Sequence, residues 1–293
     1  MMRHAYLIIA HGEFAVLELL VRCLDDVRND IYIHFDRKVQ ELPKLSTRHA
    51  GLFILPRRID VRWGDVSMVD TELELFAEAY RQASGYSYYH LLSGVDLPLK
   101  SQDYIHEFFA THAGAEFVGY YWGRDLEVSI DRKVRRRHLF ARDFKGSGFV
   151  FQLKRLLRFL WLRTQIATGL RRYQDIEFKK GTQWVSLTHE FVGYMLERRE
   201  ELLRLYRQSF CSDEIFVQTL LWHSPMRERI FDVVLEGRGC MREIGWRDNV
   251  LADYTRADRP MLLSSNGLWA RKFNSQDMDF LLELMDELKV LPK

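Results

Sequence analysis

Cysteine is scarce in this sequence. Cys23, Cys211 and Cys240 are the only three, widely spaced and without a C-x-x-C pair. An odd, scattered set argues against a disulfide framework and against a cysteine-built zinc site, and it suits a reducing cytoplasm. Long apolar runs are missing too. The opening MMRHAYLIIAHGEF holds an apolar stretch too short for a secretory leader, and no stretch is long enough to span a bilayer. Neither sign of charge dominates: the formal net charge is +2, which implies no polyelectrolyte role for the whole chain. No G-x-G-x-x-G and no Walker A pattern occurs, so a Rossmann dehydrogenase or a P-loop enzyme has little support. Internal repeats and low-complexity segments are absent.

What is present is a core. Of the 293 residues, 47% are hydrophobic and 13% aromatic, enough to fill one large domain or two small ones. Residues 5–10 (AYLIIA), 31–35 (IYIHF), 52–55 and 88–92 (YYHLL) read as buried strands, with helices over 14–24 and 70–83. This alternation implies an α/β fold whose mostly parallel central sheet is flanked by helices and joined by right-handed crossovers. Such sheets bind ligands at the carboxyl ends of their strands. There the sequence places His11, Asp36, Trp63 just past the third strand, and Asp96. Together these suit a nucleotide-sugar site. Singly, His11 reads equally as a strand cap, and Asp36 and Asp96 as turn residues.

A second concentration of chemistry lies in residues 180–225. KGTQWVSLT reads as a glycine turn entering a short buried strand with Trp184, Val185 and Leu187, and 188–206 reads as a helix capped by Thr188. A further helix is expected to start with Ser212 as its N-cap. That puts Glu214 in the first turn, where the helix dipole holds a carboxylate ionised. An ionised carboxylate beside an open cleft can act as a general base. Asp213 and Glu214 also read simply as first-turn acids.

The middle of the chain is basic. Residues 125–142 contain DRKVRRRHLFAR, and 150–173 reads as an amphipathic helix. Its apolar stripe would be Leu153, Leu156, Leu157, Leu160 and Ala167, flanked by Lys154, Arg155, Arg158 and Arg163. Three readings stand: a helix packed on the body with a solvated basic rim, peripheral contact with an anionic membrane, or nucleic-acid binding. The last is disfavoured, because no nucleic-acid motif accompanies the helix. Residues 277–288 close the chain with a helix expected to pack on the body.

YLIIAHGEF, IYIHFDRK, VRWGDVSMVDTELELF, YYHLLSGVDLPLKS, GTQWVSLT with SDEIFVQTLL, and DRPMLLSSNGLWARKF follow one another in this order. Over 5–109 and 181–273 the chain resembles the core-2/I-branching β-1,6-N-acetylglucosaminyltransferase family, glycosyltransferase family 14, which includes the protein xylosyltransferases and bacterial members. The resemblance implies one GT-A-like domain over 1–293. Its parts would be a nucleotide-sugar half at 1–110, a basic helical insertion at 111–180, and an acceptor and catalytic half at 181–293. It implies an inverting transfer of GlcNAc or a related sugar from a UDP-sugar to a hydroxyl of a glycan or lipid-linked polysaccharide precursor. The setting would be the cytoplasm or the inner face of the cell membrane. The family needs no divalent metal, and no D-x-D ends a strand of the first half, so no metal and no cofactor beyond the co-substrate is expected.

Carried over residue by residue, the resemblance makes Glu214 the base. It puts Asp36 of I-H-x-D beside the uracil, with Asp96 of S-G-x-D-x-P near the donor. Lys272 of A-R-K-F would meet the diphosphate, and Trp246 and Arg132 would face the acceptor. Without a metal, two fixed cations must neutralise the departing diphosphate. The family's arginine lies in a His-Pro-Arg-like segment, but here WRDNVLADYTRAD lacks that pattern. Arg247 or Arg256 is the expected substitute, with Arg271 read as a surface charge. The alternative is a non-catalytic sugar- or nucleotide-binding protein with a decayed transferase fold, part of a membrane-associated polysaccharide assembly. That Glu214 and Lys272 are both present favours an enzyme.

Overall fold

A computed structural model describes residues 2–82, 85–248 and 250–291. In chain order its elements are β1 (His4–Ala10), α1 (Phe14–Cys23), β2 (Asn29–Phe35), β3 (Gly51–Ile54), α2 (Ser67–Gln82), β4 (Tyr88–Ser93), β5 (Asp96–Pro98) and α3 (Gln102–Thr111). Next come α4 (Leu126–Lys133), α5 (Phe149–Ala167), β6 (Ser186–Thr188), α6 (His189–Glu197), α7 (Arg199–Tyr206) and α8 (Phe216–Trp222). The chain closes with α9 (Glu236–Cys240), β7 (Arg242–Ile244), β8 (Trp246–Arg247), β9 (Val250–Leu251), α10 (Arg259–Ser264), β10 (Trp269–Arg271) and α11 (Met278–Glu287). Ala83, where the sequence would end the second helix, lies outside the described residues.

The central sheet has the order β3-β2-β1-β4-β6. Its pairings are parallel except at β6, which runs antiparallel to β4. This is the expected α/β architecture with a mostly parallel sheet. β1 occupies the middle because both of its faces are apolar. Side chains alternate along a strand, so Tyr6, Ile8 and Ala10 enter one core layer with Leu17 and Leu20 of α1, Phe109 of α3 and Leu284 of α11. Ala5 and Leu7 enter the other, against Leu73 and Phe76 of α2 and Phe191 of α6. Each fully buried leucine or phenylalanine contributes about 2 kcal/mol.

A smaller sheet, β5-β10-β7, carries the carboxyl-terminal motif back to the amino-terminal half. β10 runs antiparallel to β5 and brings Arg271 opposite Asp96.

Several local expectations change. Residues 188–206 form two helices, α6 and α7, divided at Arg198, although Thr188 does cap the first by accepting from Phe191 N at 3.3 Å. GTQWVSLT is extended only over β6, but Trp184, Val185 and Leu187 are all buried. Gly181 must be glycine, because a Cβ there would lie 1.8 Å from the Gly119 carbonyl oxygen. α5 forms near its expected place, but its leucine stripe faces outward instead of onto the body.

A histidine cluster lies behind the sheet. His90 Nε2 is 3.1 Å from His4 Nδ1, the His4 and His106 rings stack at 4.0 Å, and His106 bonds Asn29 Oδ1 at 2.9 Å. Burial holds all three imidazoles below their ordinary range, His106 down to about 4. They stay neutral in the fold while the unfolded chain takes up protons near pH 6.5. Their contribution is therefore complete above pH 6.5 and is lost as pH falls, by up to about 1.4 kcal/mol per pH unit for each. Buried Glu72 and Glu116, raised mainly by burial, offset part of this in the opposite sense. Nuclear magnetic resonance of the imidazoles should find His4, His90 and His106 neutral at pH 5.5. Protonation of all three by pH 6 would contradict the buried cluster.

Candidate active site

A cleft of about 1520 Å³ opens at the carboxyl ends of β1, β2 and β4. It exceeds the usual size of a pocket for one small ligand. His11, Asp36, Trp63, Glu214, Trp246 and Lys272 line it. Asp96, Arg132, Arg247 and Arg256 do not.

Glu214 is held differently from the sequence expectation. Ser212–Glu214 is a single 3-10 turn, entered through Cys211 in a left-handed conformation (φ 48°) without a side-chain cap. α8 begins only at Phe216. Ser212 is thus no N-cap, and its buried hydroxyl has no hydrogen-bond partner among the described residues. Lysines replace the helix dipole. Lys133 Nζ lies 2.7 Å from Glu214 Oε2, and Lys180 Nζ 3.9 Å from the same oxygen. Burial pulls the Lys133 ammonium down, but the Glu214 carboxylate more than offsets it and the net direction is up.

Near Glu214 are two buried carboxyls, Asp213 and Glu72. Asp213 is buried, and burial first, then the Glu214 charge, pushes it up. Glu72 is buried as well and raised, mainly by burial and then by Asp213, while accepting from Gln183 Nε2 at 2.8 Å. Burial thus raises both Asp213 and Glu72, while Glu214, a third exposed, is paired with lysines beside the cleft.

Asp36, which also lines the cleft, follows β2. Its Oδ1 accepts from Lys38 N at 2.9 Å and its Oδ2 pairs with Lys38 Nζ at 2.6 Å. The loop after β3 is pinned nearby, with Ile59 N donating to His34 Nε2 at 2.9 Å. Trp63 ends this loop with its ring 46% exposed, packed by Phe144 and Phe210, and with Lys145 Nζ 4.7 Å above it. Trp246, which also lines the cleft, is 62% exposed.

Asp96 is fully buried and serves the cleft at one remove. It accepts from Ser93 N at 3.0 Å, Ser93 Oγ at 2.6 Å and Arg271 Nε at 3.1 Å. Arg271 is consequently no surface charge. Its side chain is 14% exposed, its guanidinium lies 4.1 Å over the Trp184 ring, and it lines the cleft beside Lys272. Lys272 Nζ stands 3.6 Å from Asp253. The expected substitutes are occupied elsewhere. Arg247 pairs with Asp258, and Arg256 with Asp277 and Glu283, tying down the carboxyl-terminal elements. Arg132 is exposed on α4, and the next residue, Lys133, is the one that pairs with Glu214. Among the described residues no three of His, Cys, Asp or Glu gather as a metal-ligand set.

The family model of the Core-2/I-branching enzyme matches residues 4–236. The chain belongs to the Core-2/I-branching enzyme family. Rat xylosyltransferase 2 is 23% identical over 309 residues, covering 98% of this chain and 33% of the relative. The Drosophila melanogaster xylosyltransferase oxt is 23% identical over 231 residues, covering 75% of this chain and 24% of the relative. The chain thus spans a third or less of the curated relatives it matches. Among solved structures, apo mouse xyloside xylosyltransferase 1 aligns with a TM-score of 0.40 and 10% identity, over 92% of this chain and 97% of the other. The matched family segment contains Glu214, whereas Arg271 and Lys272 lie beyond it.

Proposed function

We propose that this member of the Core-2/I-branching family is an inverting, metal-independent glycosyltransferase with a GT-A-like frame. It moves GlcNAc or a related sugar from a UDP-sugar to a hydroxyl of a glycan or of a lipid-linked polysaccharide precursor. The supporting observation is that one cleft is lined both by the lysine-paired Glu214 carboxyl and by two adjacent cations, Arg271 and Lys272. Glu214 takes the proton from the acceptor hydroxyl. The freed oxygen bonds to the anomeric carbon from the face opposite the leaving group, and the bond from that carbon to the diphosphate oxygen breaks. Arg271 and Lys272 receive the negative charge that develops on the departing UDP. Asp36, His11 and Lys38 line the nucleotide end. Trp63 and Trp246 offer flat apolar faces to sugar rings.

Melting-temperature shifts with UDP, UDP-GlcNAc, UDP-xylose, UDP-glucose and GDP-mannose, each in EDTA and in manganese, test this reading. A donor at about 100 times its Kd stabilises the native state by about 2.7 kcal/mol. We expect one UDP-sugar to raise the melting temperature equally in both conditions, and EDTA to leave transfer intact. Binding seen only with manganese would overturn metal independence. No shift with any nucleotide would favour a non-catalytic member with a decayed site.

A further inference from the structure

α5 is amphipathic with its faces reversed. Its inward face is polar. Gln165, 1% exposed, accepts from Arg137 N at 2.8 Å and donates to the Arg137 carbonyl at 3.0 Å. Lys154 pairs with Asp143 at 2.7 Å, and the Arg158 guanidinium lies 4.5 Å over the Phe144 ring. The outward face is apolar. Phe149, Leu153, Leu156, Leu157 and Leu160 are 82%, 46%, 52%, 43% and 50% exposed, and their spacing makes one continuous helical stripe. A stripe of this kind in water marks a surface with an occupant.

Charge identifies the occupant. Residues 144–174 carry seven lysines and arginines and no aspartate or glutamate. Arg155 and Arg163 are exposed on the same helix as the leucines. A second copy of the chain would bring this positive field against itself. An anionic phospholipid surface supplies both negative headgroups and an apolar interior. No helix among the described residues is long and apolar enough to cross a membrane, so α5 would lie on the surface. The segment entering α5 is also part of the cleft: Arg142 and Lys145 line it, and Phe144 packs on Trp63.

We propose that α5 docks the protein on an anionic phospholipid membrane, with its leucine stripe among the acyl chains and the cleft mouth held close to the lipid surface. The docking does not depend on which sugar is moved. Flotation with vesicles of phosphatidylglycerol and phosphatidylcholine in equal parts, against phosphatidylcholine alone, tests it. The native chain should float with the anionic vesicles and less so in high salt. Leu156→Glu/Leu160→Glu should stay at the bottom with an unchanged melting temperature, and Arg155→Glu/Arg163→Glu should lower partitioning at least about tenfold. Three results would overturn the proposal: no flotation of the native chain, equal flotation of the leucine variant, or a concentration-dependent dimer that the leucine substitutions dissociate. None of these touches the nucleotide screen, so the two readings fail separately.

Discussion

Glu214→Gln should lower the rate of sugar transfer by about 10²- to 10⁴-fold while UDP-sugar binding is retained. The amide keeps the size of the carboxylate but cannot accept the acceptor's proton. The proposed donor contacts are other residues of the cleft, so a melting shift with the donor should survive. Lys133 and Lys180 lose their shared partner in this variant. Both are partly solvated, so the fold should be affected little. Transfer at the native rate would remove Glu214 from the role of base. Loss of donor binding together with transfer would place it instead among the groups that build the nucleotide pocket.

Lys272→Ala should lower kcat by about 10²- to 10³-fold, the size expected when one preorganised charge at a developing anion is removed. The fold should persist, since Lys272 and its partner Asp253 are both a third exposed. Arg271 needs a different substitution. Arg271→Ala would leave Asp96, which is fully buried, without its cation, and breaking such a pair costs about 3–5 kcal/mol. Arg271→Lys keeps the charge but loses the planar fork that meets Asp96, Ser93 and the cleft together. It should fold and still lose transfer. Native rates in both Lys272→Ala and Arg271→Lys would show that the leaving group is neutralised elsewhere.

The sheet was legible because each strand is a short apolar run between helix-period segments, and that pattern is local. The carboxyl ends of the strands followed from it, and with them His11, Asp36 and Trp63. Glu214 was legible as a residue but not in its setting. Cys211 enters the turn left-handed, so the S-D-E pattern that resembles a helix start is not one, and its charge partners come from Lys133 and Lys180. Arg271 was misread because its environment is made by Asp96, 175 positions away, and by Trp184. No spacing rule reports such a contact. The same holds for α5: its period was correct, but its facing is decided by the Arg136 and Arg137 backbone and side chains that hold Gln165.

The pairing of β5 with β10 also has a consequence for synthesis. A chain made from its amino terminus releases β1, β2 and β4 early, and these can begin to pair as parallel neighbours. β5 must wait for a partner that emerges 175 residues after Asp96. Closing so long a loop is slow relative to local contacts. Until β10 arrives, Asp96 has no guanidinium and the cleft lacks Arg271 and Lys272. The growing protein thus passes through a stage with a formed sheet and an empty-handed site. β10, the last strand among the described residues, completes the smaller sheet and brings Arg271 to the cleft.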